Sequence, residues 1–188
     1  MNWLVIKKSK TKQWFSVIAP KVFNERELAQ TMAIDADSII NRRISVNLIE
    51  ITNDFSKYYM KFFFKIKKVD GEKAFTEFDG SECMRDYISR MVVRRVRRVD
   101  TVQKLTTKDG RKIIVKGLVV LSRKIKANIA KAVRVKVEAM VRSEVENSGF
   151  DEFIEKIISD ELKNKILKEG RKIYPIRNFE VRKTEVIG

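Results

Sequence analysis

The chain has 188 residues, and its 41 Lys and Arg against 25 Asp and Glu give a formal net charge of +16 at pH 7. A positive field of this size attracts polyanions, so RNA or DNA is the expected partner. The sequence has no histidine, which removes the usual general base and the usual imidazole metal ligand and so disfavours most hydrolytic and zinc enzymes. The composition therefore predicts a nucleic-acid-binding protein rather than an enzyme.

Hydrophobic residues make up 44% of the chain, which is enough to bury a core and too many for a disordered basic tail. The longest apolar runs, such as residues 118–121, have the length of strands and are far shorter than the roughly 20 residues of a membrane helix. The lone Cys83 has no histidine partner and predicts a buried structural thiol. We therefore expect one cytoplasmic domain over residues 1–188, without a metal or a cofactor.

Residues 1–12 form a basic N-terminal arm that contains four lysines and is followed by Trp14 and Phe15. This pattern resembles an extension that becomes ordered on a partner. An ordinary frayed terminus explains it almost as well.

Alternation and turn residues predict at least five strands. In residues 42–52 the apolar positions alternate up to Leu48 and then change phase, which indicates one bent strand with a bulge. Asp70-Gly71 and Asp109-Gly110 are typical of hairpin turns. The strands that these turns precede or join cover residues 74–78, 99–107 and 112–121.

An aromatic run accompanies the strand predicted over residues 60–67. Alternation places Phe62 and Phe64 in the core, which is the usual position of aromatic residues that alternate in a strand. Phe63 and Tyr59 are then the residues of this run expected at the surface, where aromatic rings can stack on the bases of single-stranded nucleic acid.

Helical spacing predicts three further segments. Ser81 is a suitable N-cap for the first, whose apolar stripe covers residues 84–91. The second is long and basic, with apolar residues every four positions over residues 125–141 and an end at 147–149. The third begins at Asp151 and continues to Gly170, and the chain closes with an extended segment.

Positive charge is concentrated at a few places that are candidate phosphate contacts. The densest is 94–98, where four arginines in five positions exceed what a solvated helix end requires, although that interpretation stays open. Residues 150–169 have an acidic excess, which indicates a solvated or protein-facing side. The candidate RNA-binding residues are Lys7, Lys8, Lys10, Lys12, Arg94, Arg95, Arg97, Arg98, Lys108, Arg111, Lys112, Arg123, Lys124, Lys126, Lys131 and Arg134.

Several segments, in order over nearly the whole chain, carry a resemblance to a known family. They are Trp14–Asn24 (WFSVIAPKVFN), Arg43–Leu48 (RISVNL) with Asn53-Asp54, Met84–Tyr87 (MRDY), Asp100–Gly110 ending in TKDG, and Ile173–Pro175 (IYP) with Val181–Lys183 (VRK). These segments resemble the archaeal and eukaryotic small-subunit ribosomal protein family called "S three A e", and the short chain resembles an archaeal member. The family usually has glycine where this chain has Asn41, and asparagine is the residue next best able to adopt a left-handed backbone.

The predicted elements indicate an α+β fold. The resemblance implies a β-barrel of about five to seven mainly antiparallel strands over residues 13–122, packed α-helices over 123–172 that include the long basic helix, and an extended segment over 173–188. It also implies a structural protein on the platform of the small ribosomal subunit near the messenger exit. Small-subunit ribosomal RNA and neighbouring platform proteins are then the partners, with messenger RNA near the exit as a further candidate. The alternative is an RNA-processing or RNA-chaperone factor acting off the ribosome, and a carboxylate-metal nuclease is a remote third.

Overall fold

The computed structural model describes residues 11–187, so Lys7, Lys8 and Lys10 of the predicted arm lie outside the described residues. The described chain contains eight strands and five α-helices. The strands are β1 (Gln13–Ile18), β2 (Glu27–Ala33), β3 (Arg43–Asn47), β4 (Met60–Asp70), β5 (Lys73–Cys83), β6 (Arg97–Thr106), β7 (Lys112–Leu121) and β8 (Ile176–Ile187). The helices are α1 (Leu48–Thr52), α2 (Arg85–Met91), α3 (Ala127–Asn147), α4 (Phe150–Ile158) and α5 (Glu161–Gly170).

The chain divides into two compact units. The first reaches to Ile44 and includes Phe64–Glu77, and the second contains Ser45–Phe63 and everything described from Phe78 onward. None of the described helices is long and apolar enough to cross a membrane.

In the first unit, β1 pairs antiparallel with β2 and parallel with the start of β5. Phe15 is 3% exposed and belongs to the core of this unit, whereas the adjacent Trp14 is 58% exposed. Trp14 and Phe15 therefore lie in a strand that is paired within the chain, immediately after the predicted arm of residues 1–12. The core of the unit also contains Val17, Ala33, Ile39, Ile66 and Ala74.

Asn41 in the first unit has a φ of +66°, in the left-handed region, and its N–H donates a hydrogen bond of 2.8 Å to the carbonyl of Ile66. Asparagine tolerates this backbone conformation better than most residues. The left-handed turn expected at this position is confirmed.

In the second unit, the strands follow the order β5-β8-β7-β6. β6 and β7 form the hairpin predicted around Asp109-Gly110, with Arg97 opposite Leu121 and Thr106 opposite Lys112. β8 is antiparallel to β7 and to the end of β5. These strands confirm the predicted strand pair and the predicted extended segment at the end of the chain.

The full strand order is β2-β1-β5-β8-β7-β6, with β4 pairing with β5 and with β3. A barrel requires the ladder to close on itself, whereas this order is open. β6 stands at one end of this order and pairs with β7 among the described strands. The helix α3 packs on β6, where Gln103 Nε2 donates to the carbonyl of Glu138 at 3.0 Å. The mixed α+β class is confirmed, and the predicted barrel is not.

Residues 42–52 do not form one bent strand. The strand β3 ends at Asn47, and α1 follows it at once, with Leu48 and Ile51 buried three positions apart. Residues three apart lie on one face of a helix, so the change of phase marks the start of a helical turn and not a bulge. Asn53, with a φ of +57°, ends this turn.

Two further boundaries differ from the predictions. Ser81 lies in β5, where its hydroxyl is 2.8 Å from the Thr184 hydroxyl, and α2 begins only at Arg85. The helical segment 151–170 is interrupted at Asp160, whose φ is +60°, so it forms α4 and α5. The first boundary is set by a hydrogen-bond partner and the second by a backbone angle. The sequence pattern contains neither of them.

The long basic helix after the strands is confirmed as α3. Its buried stripe follows the predicted four-residue spacing at Val133, Val137 and Val141. Ile129 is an exception, because its side chain is 37% exposed near the start of the helix.

Candidate nucleic-acid interface

The arginine cluster at 94–98 connects α2 to β6 and is not the end of a helix. Arg94 and Arg95 lie in a turn, and Arg95 has a left-handed φ of +71°. Arg97 and Arg98 begin β6. Strand alternation therefore applies only to Arg97 and Arg98, and it does not extend to Arg94 and Arg95 in the turn.

The four arginines differ in their partners. Arg98 donates a bidentate pair of hydrogen bonds to Asp100, with Nε 2.9 Å from Oδ2 and Nη2 2.8 Å from Oδ1. Arg94, Arg95 and Arg97 are exposed, and none of the three forms an ion pair within the described chain. Three guanidinium groups are thus available to a phosphate, whereas the planar fork of Arg98 is already occupied by a carboxylate.

Strand register brings further cations to this cluster. Arg97 is opposite Leu121, two residues before Arg123, and Leu121 is also opposite Ile176, next to Arg177. Arg90 lies in the last turn of α2. We call this set the basic end: Arg90, Arg94, Arg95, Arg97, Arg98, Arg123, Lys124, Lys126 and Arg177.

Two members of the basic end, Arg90 and Arg177, are absent from the sequence-based candidates. Arg90 is close in sequence to the arginine cluster, so a wider window would have included it. Arg177 is isolated in the sequence, and only the pairing of β7 with β8 places it beside Leu121. No pattern in the sequence alone identifies it.

The candidates Lys108, Arg111 and Lys112 lie at the opposite end of the hairpin. The ladder of β6 and β7 separates them from Arg97 by ten residue pairs, or roughly 30 Å at about 3.3 Å per residue. Arg111 is 4.7 Å from the centre of the Phe150 ring, a cation–π geometry, and the Phe150 N–H donates to Asp109 at 2.6 Å. The sequence-based candidates at the two ends of the hairpin therefore form two separate groups.

The remaining described candidates are assigned to neither group. Lys131 and Arg134 are exposed on α3, beside its buried valine stripe. Lys12 is exposed in the first unit, immediately before β1.

The acidic segment 150–169 is partly neutralised by lysines. Lys156 Nζ is 2.8 Å from Glu152 and 3.5 Å from Glu144, and Lys165 also bonds to Glu144. The hydrogen bond from Lys165 holds the pKa of Glu144 below its ordinary value, against the effect of burial. Outside this network, the exposed carboxylates of the segment are Asp151, Glu155 and Glu161.

The prediction that Tyr59 lies at the surface is wrong, whereas the positions predicted for Phe62 and Phe64 are confirmed. Tyr59 is 4% exposed and stacks on Tyr87, with ring centres 3.8 Å apart. Phe62 and Phe64 are fully buried, and Phe63 is half-buried. The stacking partner of Tyr59 is on a different element, so alternation along β4 does not predict it.

The described residues contain no group of three or more Cys, Asp and Glu side chains arranged to hold a metal ion. Cys83 is buried, and its thiol donates to the carbonyl of Val181. Burial raises the pKa of this thiol to about 12, so it stays protonated at neutral pH. A buried, protonated thiol is a structural group and not a nucleophile.

Replacing Arg94, Arg95 and Arg97 together by Lys is expected to weaken RNA binding about tenfold, because lysine keeps the charge but loses the planar fork that binds phosphate bidentately. The melting temperature is expected to change little, since all three side chains are exposed. Filter binding and thermal unfolding measure the two effects.

Arg98→Lys is the matched control, because Asp100 already occupies its guanidinium. We expect a loss of RNA affinity of less than about twofold for this variant. Equal and negligible losses in the triple variant and in the control would assign the whole cluster to a solvated surface.

Comparison with known proteins gives one family. The family model described as the Ribosomal S3Ae family matches residues 5–188. The archaeal "Small ribosomal subunit protein eS1" of Methanopyrus kandleri is 36% identical over 188 residues, covering 98% of this chain and 89% of that protein. The protein of the same name from Saccharolobus islandicus strain L.S.2.15 is 37% identical and covers 96% of this chain and 86% of its own length. The one from Sulfurisphaera tokodaii is 35% identical, with coverage of 96% and 93%.

Proposed function

The chain belongs to the Ribosomal S3Ae family, and from this membership we propose that it is a non-enzymatic structural protein of the small ribosomal subunit that binds ribosomal RNA during translation in the cytoplasm. The relatives named above are small-subunit proteins that resemble this chain over most of their length. The net charge of +16 supports RNA as the principal partner.

The observation that carries the RNA-binding proposal is the basic end. Cations from α2, the 94–95 turn, β6, the segment before α3 and β8 converge there through strand pairing. Arg94, Arg95 and Arg97 have no carboxylate partner within the described chain and are held on paired backbone or next to it. Cations fixed in this way can neutralise phosphates where two RNA segments approach and repel each other.

We assign the platform near the messenger exit as the location, with neighbouring platform proteins as further partners. The acidic segment 150–169 supports a protein contact, because its carboxylates repel RNA and attract a basic neighbour. Messenger RNA near the exit is the remaining candidate partner.

Retention on the small subunit tests the proposal. After a wash at about 0.5 M salt, a tagged copy of the chain is expected to stay with small subunits in a sucrose gradient, because many contacts must then break together. A copy with Arg94, Arg95 and Arg97 replaced by Glu is expected to be lost from that fraction.

The matched control replaces Lys21, Lys68 and Lys73 by Glu, which makes the same change in net charge at exposed lysines of the first unit. This control is expected to stay bound. Release of the unmodified chain by the wash, together with recovery in free RNA–protein complexes, would favour the alternative of an RNA-processing or RNA-chaperone factor acting off the ribosome.

Neutralising the acidic segment tests the assignment of the two faces. Replacing Glu152, Glu155 and Glu161 by Gln is expected to leave affinity for naked ribosomal RNA unchanged or slightly higher, because the substitutions remove repulsion and release Lys156 from Glu152. An electrophoretic shift assay measures the affinity. A marked loss of RNA binding in a variant with an unchanged circular dichroism spectrum would show that the segment contacts RNA.

A further inference from the structure

A cleft of about 310 Å³ lies beside the basic end. Its volume is at the lower end of the range of about 300–1,000 Å³ for small-ligand pockets, so it suits one small, flat group. Its floor includes Val120, which is opposite both Arg98 and Asn178 in the sheet. Its walls are formed by Tyr58, Tyr87, Arg90, Met91, Arg177 and Asn178.

We propose that this cleft binds one unpaired RNA nucleotide, with its base against the two tyrosine rings and its phosphates on Arg90 and Arg177. The inference rests on the proposed RNA-binding function, and it adds that the RNA bound at the basic end is single-stranded. It was not predicted from the sequence, where the tyrosines and Arg177 are far apart.

One wall of the cleft is a fixed aromatic ring. Tyr87 stacks on the buried Tyr59, with ring centres 3.8 Å apart and planes 8° apart. Its hydroxyl donates to Glu180 Oε1 at 2.9 Å, and Glu180 is buried and paired with Lys163. Burial and the nearby carboxylate raise the pKa of Tyr87, so the phenol stays protonated and keeps this bond. A ring held in this way binds a base without a large loss of conformational entropy.

The ring of Tyr58 stands nearly perpendicular to the ring of Tyr87, so the two rings form an aromatic corner. Tyr58 stands at 87° to Tyr87, with ring centres 6.3 Å apart, and it is 41% exposed. A base can therefore stack on one ring while its edge meets the other. Stacking on an aromatic side chain is sequence-tolerant, because every base has a π face.

Charged groups surround the rings. Arg90 Nη1 donates to the Tyr58 hydroxyl at 3.4 Å, and its remaining N–H groups have no hydrogen-bond partner in the described chain. Arg177 is exposed and likewise forms no ion pair within residues 11–187. The two arginines can bind the phosphates on either side of the inserted base. The neighbouring Arg94, Arg95 and Arg97 can bind the next phosphates of the same RNA strand.

An unpaired nucleotide fits this combination better than a duplex does. In a duplex the faces of the bases are covered by stacking, so an aromatic corner has nothing to contact. A base in a single-stranded loop or end is not held by pairing on both sides, so it turns outward at a lower cost than a base in a duplex. The aromatic corner and the two arginines therefore select single-stranded RNA next to a helix.

Tyr58→Ala is the central test, because an exposed ring can be removed without opening the core. The full chain is titrated with a 12-nucleotide oligouridine and with a blunt RNA duplex of the same length. We expect the variant to lose about tenfold in affinity for the single strand and to keep its affinity for the duplex. Tyr58→Phe keeps the ring and is expected to restore single-strand binding.

Phe55→Ala is the matched control. Phe55 is 80% exposed in the same segment and does not line the cleft, so its removal is expected to leave both affinities unchanged. Photo-crosslinking with an oligouridine that contains 4-thiouridine supplies an independent readout, with the crosslink expected on peptides that contain Tyr58 or Tyr87.

The outcomes separate the two proposals. An unmodified chain that binds neither RNA would overturn the proposed function itself. An unmodified chain that binds both RNAs, with no selective loss in Tyr58→Ala, would overturn only the nucleotide cleft. Polyglutamate is titrated in the same way. If Tyr58→Ala lost affinity for polyglutamate and not for oligouridine, the cleft would be assigned to an acidic peptide and the nucleotide proposal would be overturned.

Discussion

Raising the salt concentration from about 50 mM to about 200 mM is expected to weaken binding of the purified chain to small-subunit ribosomal RNA by about 4,000- to 16,000-fold. If the chain neutralises about eight phosphates, the logarithm of the affinity falls with the logarithm of the salt concentration at a slope of roughly −6 to −7, because each contact releases condensed counterions. A salt series of filter-binding measurements gives the slope. This is the largest effect expected, because the net charge of +16 makes the binding mainly electrostatic.

The basic end can be tested by the same slope. Replacing Arg94, Arg95 and Arg97 by Gln is expected to make the slope less steep by about three, since about one unit is lost for each phosphate contact. Gln at Lys21, Lys68 and Lys73 gives the same net charge and is expected to leave the slope almost unchanged. A slope near zero for the unmodified chain would contradict electrostatic binding.

Gly80→Ala is expected to destabilise the second unit by about 3 kcal/mol or more, the range of substitutions that force a steric clash in a packed structure. Gly80 lies in β5 with a φ of +154°, and a Cβ atom there would overlap the backbone carbonyl oxygen of Thr184 in β8. A backbone atom in a paired strand cannot turn away as a side chain can. Thermal unfolding followed by circular dichroism is expected to show a melting temperature lower by about 10 °C.

Gly110→Ala is the control for the backbone angle. Gly110 also has a positive φ, of +80°, but a Cβ atom there meets no other atom within 4 Å. We expect a loss of about 1 kcal/mol, the cost of a left-handed conformation for an L-residue. If the two variants unfolded at the same temperature, the close approach of β5 and β8 at Gly80 would be refuted.

The sequence predicted best the elements that are encoded locally. Asp109-Gly110 and the flanking alternation predict the β6–β7 hairpin, because turn chemistry and strand period are both properties of neighbouring residues. The four-residue spacing predicts α3 for the same reason. The apolar residues at 48–51 were misinterpreted, because a single helical turn and a bulged strand give nearly the same short pattern.

Long-range partners account for what sequence patterns missed. Ser81 has the chemistry of an N-cap, but Thr184, more than a hundred residues away, holds it in β5. Alternation along the strand predicts that Tyr59 faces solvent, but the ring of Tyr87 stacks on it and covers it. Neither contact is visible in a local window, because each depends on which strands and helices become neighbours.

The sequence by itself determined the sign and size of the charge, the α+β class and the expectation of a polyanionic partner, because these follow from composition and local periodicity. Tertiary structure alone decided which cations are available. It places Arg111 over Phe150 and brings Arg177 to the arginine cluster through β8. Net charge is a sum over residues, so it does not depend on how the chain folds. A phosphate site requires several unpaired guanidinium groups at one place, and the folded chain decides which arginines of the cluster stay unpaired and which distant ones join them.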